Sequence, residues 1–298
     1  MAPLDAIEWA YTTHRFRALD HDFAVRTMDG KLGRYLDRVL CSLYVPGFPA
    51  QLYSIAELGG SALDRYALSW GEQRIEVAGS PGQVVATLLW HVNREAVEQS
   101  GRHLLLHAAA AEWQGKALLL PGPMEAGKTT LVARLVQRGM RYLTDEVAAV
   151  HLASGLVVPF PKPLTVDEGS WGALADLEPV TDPADAPYLG PQWHVDPSSI
   201  RPNAVAPPAP PGFVVFPRYQ AGASTELSPL RRAEALVGLC QSSFNLARHG
   251  AAGLHALGAV VAGSDCHRLT VGELEPACEL VLGLMGSPRP QPRGVTVP

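Results

Sequence analysis

The feature that most constrains this chain is a phosphate-loop motif near its middle. Gly122, Gly127, Lys128 and Thr129 fit the pattern G-x-x-x-x-G-K-[ST] without a mismatch. An apolar strand, ALLLP, precedes the motif, and an amphipathic helix, KTTLVARLVQR, follows it. The amides of such a loop converge on phosphate oxygens, and the helix points its N-terminal amides at the same anion. The sequence therefore predicts an α/β unit that binds a nucleotide.

Each part of the predicted loop has an expected contact. Lys128 should neutralise the β- and γ-phosphates, and the hydroxyl of Thr129 should bind Mg²⁺. Pro123 removes one amide donor and Glu125 adds a negative charge, so we expect a modest affinity. The expected cofactors are ATP and Mg²⁺. The residues expected to contact the nucleotide are Gly122, Pro123, Met124, Glu125, Ala126, Gly127, Lys128, Thr129 and Thr130.

A pair of acidic residues follows the predicted helix. Gly139 is suited to end the helix, and MRYLTDE then predicts a strand that delivers Asp145 and Glu146. A strand–loop–helix–strand unit returns the chain parallel to its first strand, so both strands end at one edge of the sheet. One carboxylate would bind Mg²⁺ directly or through water, and the other would accept a proton from an incoming hydroxyl. A polar turn that closes a hairpin is the alternative interpretation.

The chain of 298 residues has room for one large domain or two smaller ones. Residues 1–100 carry no motif tied to chemistry, and their pattern indicates a small α+β module. Residues 101–287 form the predicted P-loop domain, and residues 288–298 a disordered tail. Within the domain, HLLLHAAAAEW and KALLLPG predict an antiparallel pair, and two late helices lie around RRAEALVGLCQSS and PACELVLGLMG. The proline-rich stretch 176–212 is predicted to be a surface excursion or mobile loop.

Composition and charge argue against several classes of protein. The net charge is -5 and no basic stripe occurs, so we expect no nucleic-acid partner. No apolar run is long enough to span a bilayer, and the first residues lack the apolar region of a signal peptide, so we expect no membrane. The cysteines lie far apart without a C-x-x-C pair, which favours a cytoplasmic protein without zinc or disulfides. They are Cys41, Cys240, Cys266 and Cys278. A homo-oligomer is left open.

Together, these motifs resemble the HPr serine kinase family and its HPr-kinase-related members. That family has a histidine on the strand before the loop, the loop itself, an L-x-x-R-G segment and a strand that ends in paired acids. His107, Gly122–Thr129, LVQRGMRYLTDE and the pair Asp145-Glu146 match this order. VVPFPKPLTV and CHRLTVGELEPACELVLGL resemble later segments, so the resemblance covers about residues 103–285. It implies a P-loop kinase domain of the HPr kinase/PEP carboxykinase type.

The resemblance implies transfer of the γ-phosphate of ATP to a serine hydroxyl of a peptide or protein. By position, Asp145 is the base, Lys128 the phosphate clamp and His107 a neighbour in the active site. Without the resemblance, His107 would be expected to pack in the core. Glu146 stands where the family usually has a second Asp, and its expected role is to bind the metal. HPr-kinase-related proteins of ribosomal-peptide clusters, including lasso-peptide clusters, phosphorylate a precursor peptide, so such a peptide is one candidate acceptor.

Departures from the family keep other functions open. The chain has no E-V-R-G stretch after the acids, so neither dephosphorylation nor HPr as acceptor is implied. A small-molecule kinase and a non-transferring NTPase are the alternatives. An ABC-type ATPase is disfavoured because the only string like its signature, LGGSA, precedes the loop. A carboxykinase is disfavoured because no further His/Lys set for a metal is present.

Two basic residues outside the loop are weaker candidates for the site. Lys162 lies on the proline-stiffened segment PFPKPL and could contact phosphate or acceptor, although a solvated lysine is the expected state. Arg218 ends the predicted strand FVVFPRY and could stabilise the transferring phosphate. The stretch 197–212 and the first hundred residues are the expected places for acceptor recognition, because they differ from the bifunctional enzyme of the family.

Overall fold

The computed structural model describes residues 7–49, 51–58, 65–177, 185–190 and 192–286. These residues form a mixed α/β fold with a six-stranded, an eight-stranded and a two-stranded sheet. The strands of the first sheet are β1 (Tyr11–Thr12), β2 (Phe16–Ala18), β3 (His21–Thr27), β4 (Leu52–Glu57), β5 (Tyr66–Trp70) and β6 (Gln73–Ala78). Their order is β1-β3-β4-β5-β6, and β2 also pairs with β3.

Two capped helices pack on the first sheet. Helix α1 (Gly30–Val39) begins after Asp29, whose carboxylate accepts a hydrogen bond from the amide of Lys31. Helix α2 (Pro81–Gln99) begins after Ser80, whose hydroxyl accepts from the amide of Gln83, and Pro81 occupies its first turn. This part of the chain therefore contains both helices and strands, and a separate α+β module stays a prediction.

The second half of the chain contains the larger sheet and the remaining helices. Its strands are β7 (His103–Trp113), β8 (Lys116–Pro121), β9 (Arg141–Thr144), β10 (Val147–His151), β11 (Val157–Val158), β12 (Leu164–Val166), β13 (Trp193–Val195), β14 (Pro211–Tyr219), β15 (Glu226–Pro229) and β16 (Asp265–Val271). Its helices are α3 (Lys128–Gln137), α4 (Glu168–Trp171), α5 (Pro197–Ile200), α6 (Arg232–Gln241), α7 (Leu246–Ala262) and α8 (Leu274–Gly286).

Helices cover both faces of the eight-stranded sheet. The strand order is β11-β10-β7-β8-β14-β16-β15, and β9 also pairs with β7. Side chains of α3 and α8 pack in one apolar core with one face of the sheet, and those of α6 and α7 pack in another with the opposite face. The adjacent residues Ala109 and Ala110 of β7 belong to these two different cores, because successive side chains of a strand point to opposite faces of the sheet.

The predicted crossover is present, with one strand inserted. Strands β8 and β9 each pair antiparallel with β7, so they run parallel to each other, but β7 lies between them. The predicted hairpin of β7 and β8 is confirmed. It turns at Gln114 and Gly115, which have φ of 49° and 80°, as a tight hairpin turn requires. Gly139, with φ of 110°, follows α3 as predicted.

The two halves share an apolar core. Leu105 and Val147 of the second half pack with Phe23, Tyr53 and other buried residues of the first sheet and its helices. The first hundred residues are therefore packed against the strands that carry the candidate site.

The prediction of a surface excursion over 176–212 is wrong for its described second part. Val195, Ala204 and Ala206 are buried. The amide of Tyr142 donates to the carbonyl of Ala204 at 2.6 Å, so this segment pairs with the backbone beside β9. Within the stretch, residues 178–184 and 191 lie outside the described residues, as does the predicted tail 288–298. Among the helices that are described, none is both long and apolar enough to cross a membrane.

Helix α7 was not predicted. Its sequence, LARHGAAGLHALGAVVA, is rich in alanine and interrupted by glycine. Gly250 has a non-helical φ of 52° within it. Glycine and alanine give a weak apolar period, so the helix depends on packing against β7 and α6 rather than on local preference.

Candidate functional site

The candidate site is built around one point of strand β7, at His107 and Ala108. On one side of β7, Ala108 is paired with Pro121, the last residue before the phosphate loop. On the other side, the amide of Ala108 donates to the carbonyl of Glu146 at 3.0 Å. Neighbouring strands lie about 4.8 Å apart, so the loop and the acid pair are separated by roughly 10 Å of backbone. The fold thus brings together the two motifs that the sequence singled out.

The acid pair lies at a break in the sheet. Strand β9 pairs with the second half of β7 and β10 with its first half, and Asp145 and Glu146 connect the two. The polar-turn interpretation is wrong, because β9 and β10 both run antiparallel to β7 and so continue in one direction, and no hairpin closes at Asp145 and Glu146. The joint between them lies beside the phosphate loop, so the predicted placement at the loop's edge of the sheet is confirmed.

The phosphate loop has the backbone that its glycines allow. Glu125 and Gly127 have φ of 62° and 85°, and α3 begins immediately afterwards, with Gly127 as its cap. The first amides of a helix have no partner within the helix, so they are available to an anion. At Gly127 the positive φ favours glycine. Pro123, Met124 and Glu125 are exposed at the tip of the loop, and Met124 is 80% exposed.

Lys128 folds back over the loop. Its Nζ donates to the carbonyl oxygens of Gly122 at 3.0 Å and Pro123 at 2.6 Å. Burial lowers the pKa of Lys128, and the charges of Glu146 and Asp145 oppose that effect. The lysine of the motif is therefore close enough to the acid pair to be influenced by both carboxylates.

The two threonines of the motif have different surroundings. Thr129 is partly exposed in the first turn of α3. The hydroxyl of Thr130 lies 2.7 Å from the hydroxyl of Ser170 on α4, so its side chain ties the helix to that turn. The side chain of Thr130 therefore has a partner within the protein, and the expected nucleotide contact of Thr130 and metal contact of Thr129 stay predictions.

The two carboxylates of the acid pair differ sharply in environment. Asp145 is 2% exposed, and its oxygens accept from the hydroxyl of Tyr142 at 2.9 Å and the amide of Thr165 at 3.1 Å. Glu146 has a side chain that is 42% exposed. Asp145 is thus held by neutral donors as well as by a cation, whereas Glu146 faces solvent.

That cation is Lys162, and the expectation of a solvated lysine is wrong. Its side chain is 9% exposed, and its Nζ lies 2.8 Å from Asp145 Oδ1 and 3.3 Å from Glu146 Oε2. Burial lowers the pKa of Lys162, but the two carboxylates outweigh it and raise the pKa overall. Lys162 is therefore a charged member of the site. A lysine flanked by Pro161 and Pro163 was the available signal, since prolines hold the backbone direction.

His107 lies between the loop and the acids. Its carbonyl accepts from the amide of Gly122 at 3.3 Å, and its ring packs 5.5 Å from the ring of Phe244. Burial lowers the pKa of His107, the charge of Lys128 lowers it further, and Glu146 opposes both. His107 therefore adjoins the loop and favours the neutral form, and its role as an active-site neighbour stays a prediction.

His194 is a member of the site that the sequence did not indicate. It stands on β13, directly opposite Thr165 of β12, whose amide binds Asp145. Among the described residues, neither ring nitrogen of this buried histidine has a hydrogen-bond partner. Burial and then the charge of Lys162 lower the pKa of His194 to about 4, and Asp145 opposes them. No local signal could have found it, because the proline-rich stretch around it predicts surface.

Asp145 and Glu146 offer two carboxylates, which are too few to hold a divalent cation alone but are the number that suits one also bound by phosphates. The described part of the chain contains no group of three or more His, Cys, Asp or Glu side chains that could hold a metal ion. Mg²⁺ is usually bound by one or two carboxylates together with substrate phosphates and water. The ammonium of Lys162 already lies between Asp145 and Glu146, so their oxygens form a place for positive charge.

Comparison with known proteins gives no family. The sequence matches no protein-family model, and no curated protein matches it.

Proposed function

We propose that this chain is an ATP-dependent kinase that transfers the γ-phosphate to a serine hydroxyl of a peptide or protein. The observation that carries the proposal is the position of the phosphate loop and the acid pair on opposite sides of Ala108 in β7. Phosphoryl transfer needs a clamp for the phosphates, a divalent ion and a group that positions the attacking hydroxyl. The site offers candidates for each within a short distance.

The proposed roles start with the phosphates. The amides of residues 122–130, except Pro123, which has no N–H, and the ammonium of Lys128 bind the β- and γ-phosphates. Lys128 would exchange its present contacts with the carbonyls of Gly122 and Pro123 for phosphate oxygens. Thr129 and the acid pair would hold Mg²⁺, and the chemistry that such an ion would supply is neutralisation of charge on the transferring group.

The roles of the two acids are proposed with a defined alternative. Asp145 is the base, as the resemblance implies, and it also contacts the metal, which Glu146 binds. The hydrogen bonds that Tyr142 and Thr165 give to Asp145 lower its basicity, because donors stabilise the charged carboxylate. The reverse assignment, with the exposed Glu146 as the base, is therefore the alternative. His107 lies between the acids and Lys128 as a neutral residue that orients the acceptor.

An extended acceptor is supported by the rim of the site. Three exposed apolar or aromatic side chains flank it: Met124 in the loop, Tyr219 beside Gly127, and Phe244 beside His107. Exposed apolar groups around a polar centre are typical of a surface that binds another molecule. A peptide could bury these side chains while it presents a serine to the acids.

The test is a transfer assay with ATP, Mg²⁺ and candidate precursor peptides encoded beside the gene. Mass spectrometry should detect a gain of one phosphate, and fragmentation should place it on serine. Lys128→Ala is the matched negative control. Transfer only to a sugar, amino acid or nucleoside would favour a small-molecule kinase. Hydrolysis without any acceptor would favour a non-transferring NTPase. Either result would contradict the proposal.

A further inference from the structure

The ammonium of Lys162 lies between the two acids. Besides its contacts with Asp145 and Glu146 at 2.8 and 3.3 Å, its Nζ lies 3.4 Å from the carbonyl oxygen of Pro163. An ammonium has three N–H donors and no acceptor, so these contacts use its full capacity. The chain therefore supplies its own cation at the place where the proposed function requires a divalent one.

The surroundings allow this cation to be exchanged. Asp145 is buried, but the exposed side chain of Glu146 opens the bridged pair to solvent on one side. Pro161 and Pro163 hold the backbone of Lys162, while four rotatable carbons link that backbone to the ammonium. The charged group can therefore leave the carboxylates without movement of the segment that carries it.

Another acceptor lies on the neighbouring strand. His194 stands opposite Thr165 in the β12–β13 pair, and the amide of Thr165 binds Asp145. Neither of its ring nitrogens is paired with a described residue. A neutral imidazole has one nitrogen that accepts a hydrogen bond. His194 lies near enough to Lys162 for the charge of the ammonium to act on it, so an ammonium that leaves Asp145 has an uncommitted acceptor close by.

Building on the proposed function, we propose that Lys162 holds the metal position of the acid pair until the nucleotide arrives. The divalent ion that comes with the nucleotide replaces the ammonium between Asp145 and Glu146. The two cations repel each other and compete for the same oxygens, so only one of them occupies the pair. The released ammonium stays in the site and contacts the phosphate that is transferred. Lys162 would then pair with Asp145 and Glu146 before the nucleotide binds and with the transferred phosphate afterwards.

Metal binding without nucleotide tests the competition. Lys162→Met keeps an unbranched apolar side chain, one atom shorter, and removes the charge, and Lys31→Met, in an exposed position of α1, is the matched control. Mn²⁺ alone is titrated into each protein and followed by electron paramagnetic resonance. Lys162→Met should bind Mn²⁺ at least about tenfold more tightly than the wild type, since a competing cation has gone. Lys31→Met should match the wild type. Equal or weaker binding by Lys162→Met overturns the proposal.

Thermal unfolding covers the case in which the variant folds poorly. Lys162→Met leaves a buried carboxylate without its cation, which is strongly destabilising. Mg²⁺ alone should therefore raise the unfolding midpoint of this variant by several degrees more than that of the wild type. A Lys162→Met protein that stays unfolded in millimolar Mn²⁺ overturns the proposal, because the metal is meant to replace the ammonium.

A double variant locates the metal. Lys162→Met combined with Asp145→Asn removes both opposite charges, so it should fold without added metal. The double variant should also lack the higher Mn²⁺ affinity that we expect of Lys162→Met. If the gain persists, the metal binds elsewhere and the proposal is wrong.

Kinetics test the second step. Lys162→Met should lower kcat about a hundredfold, the typical effect of losing one donor to the developing charge, and change the KM for ATP only a few-fold. A higher KM with an unchanged kcat overturns this step. The metal titrations need neither acceptor nor turnover. If no phosphate is transferred to any acceptor while Lys162→Met gains Mn²⁺ affinity, the proposed function fails and the metal role of Lys162 stands.

Discussion

Replacing His194 with phenylalanine should raise stability and remove part of the protein's acid sensitivity. The imidazole is buried, and its nitrogens have no hydrogen-bond partner among the described residues. Phenylalanine fills a similar shape without polar atoms. An unsatisfied buried polar group costs about 1–3 kcal/mol, so the variant should gain stability at neutral pH by an amount in that range.

The pH dependence has a definite sign. The pKa of His194 falls from 6.5 to about 4 on folding, so the unfolded chain binds the proton more tightly. The stability that neutral His194 contributes is therefore fully present above its unfolded pKa of 6.5. It is lost as the pH falls toward its folded pKa of about 4. From about pH 6.5 to pH 5, roughly 1.5 units at about 1.36 kcal/mol each give a loss of about 2 kcal/mol. For a domain of roughly 200 residues, that corresponds to an unfolding midpoint lower by about 4–8 °C.

The assay is urea denaturation of the wild type and His194→Phe at pH 7 and pH 5. His255→Phe, on an exposed position of α7, is the matched control. The wild type and the control should lose more stability between the two pH values than His194→Phe does, by about 2 kcal/mol. The same pH dependence in all three proteins would refute the assignment of His194 as a buried, neutral and unpaired group. So would a large loss of stability in His194→Phe at pH 7.

Three further predictions concern the proposed chemistry. Lys128→Ala should weaken ATP binding about a hundredfold or more, because a charge-assisted contact to phosphate is lost, and calorimetry that finds wild-type affinity would contradict the loop assignment. At saturating Mg²⁺, Asp145→Asn should bind ATP normally but transfer phosphate about 10² to 10⁴ times more slowly, because the base is lost, whereas Glu146→Gln should recover its rate as Mg²⁺ is raised; the opposite pattern would assign the base to Glu146. Gly127→Ala should lose about 1 kcal/mol of stability, because φ there is 85°, together with nucleotide affinity, and unchanged binding would show that the loop tolerates another backbone shape.

Local pattern was enough to predict the elements that carry the site. The strand β8, the loop and helix α3 follow from a short stretch whose apolar period, glycines and lysine agree with one another. The position of the acids followed from the handedness of the crossover. Local pattern could not show that β7 would lie between β8 and β9, because that order depends on pairing between distant segments.

The errors have a common physical origin. Lys162 and His194 both lie in segments that look solvent-exposed by composition, since prolines and polar residues surround them. Both are buried because β12 and β13 pair with each other against the site, although residues 167–192 separate the two strands along the chain. Tertiary pairing here overrides local composition, and single-sequence reasoning does not reach it. Thr130 illustrates the same limit, because its partner Ser170 lies on a separate turn.

The basic and acidic side chains of the site balance each other in charge. Lys128 and Lys162 balance Asp145 and Glu146, and His107 favours the neutral form, so these five side chains carry little net charge before a ligand binds. A nucleotide brings several negative charges together with a divalent cation. If the cation takes the two carboxylates, both lysines are released for the phosphates. The charges then remain matched at each step, and no carboxylate is left buried without a cation, which would cost several kcal/mol. On this reasoning Lys162 is as necessary as the lysine of the motif, and the Mn²⁺ titration of Lys162→Met is the measurement that separates an exchanging cation from a fixed one.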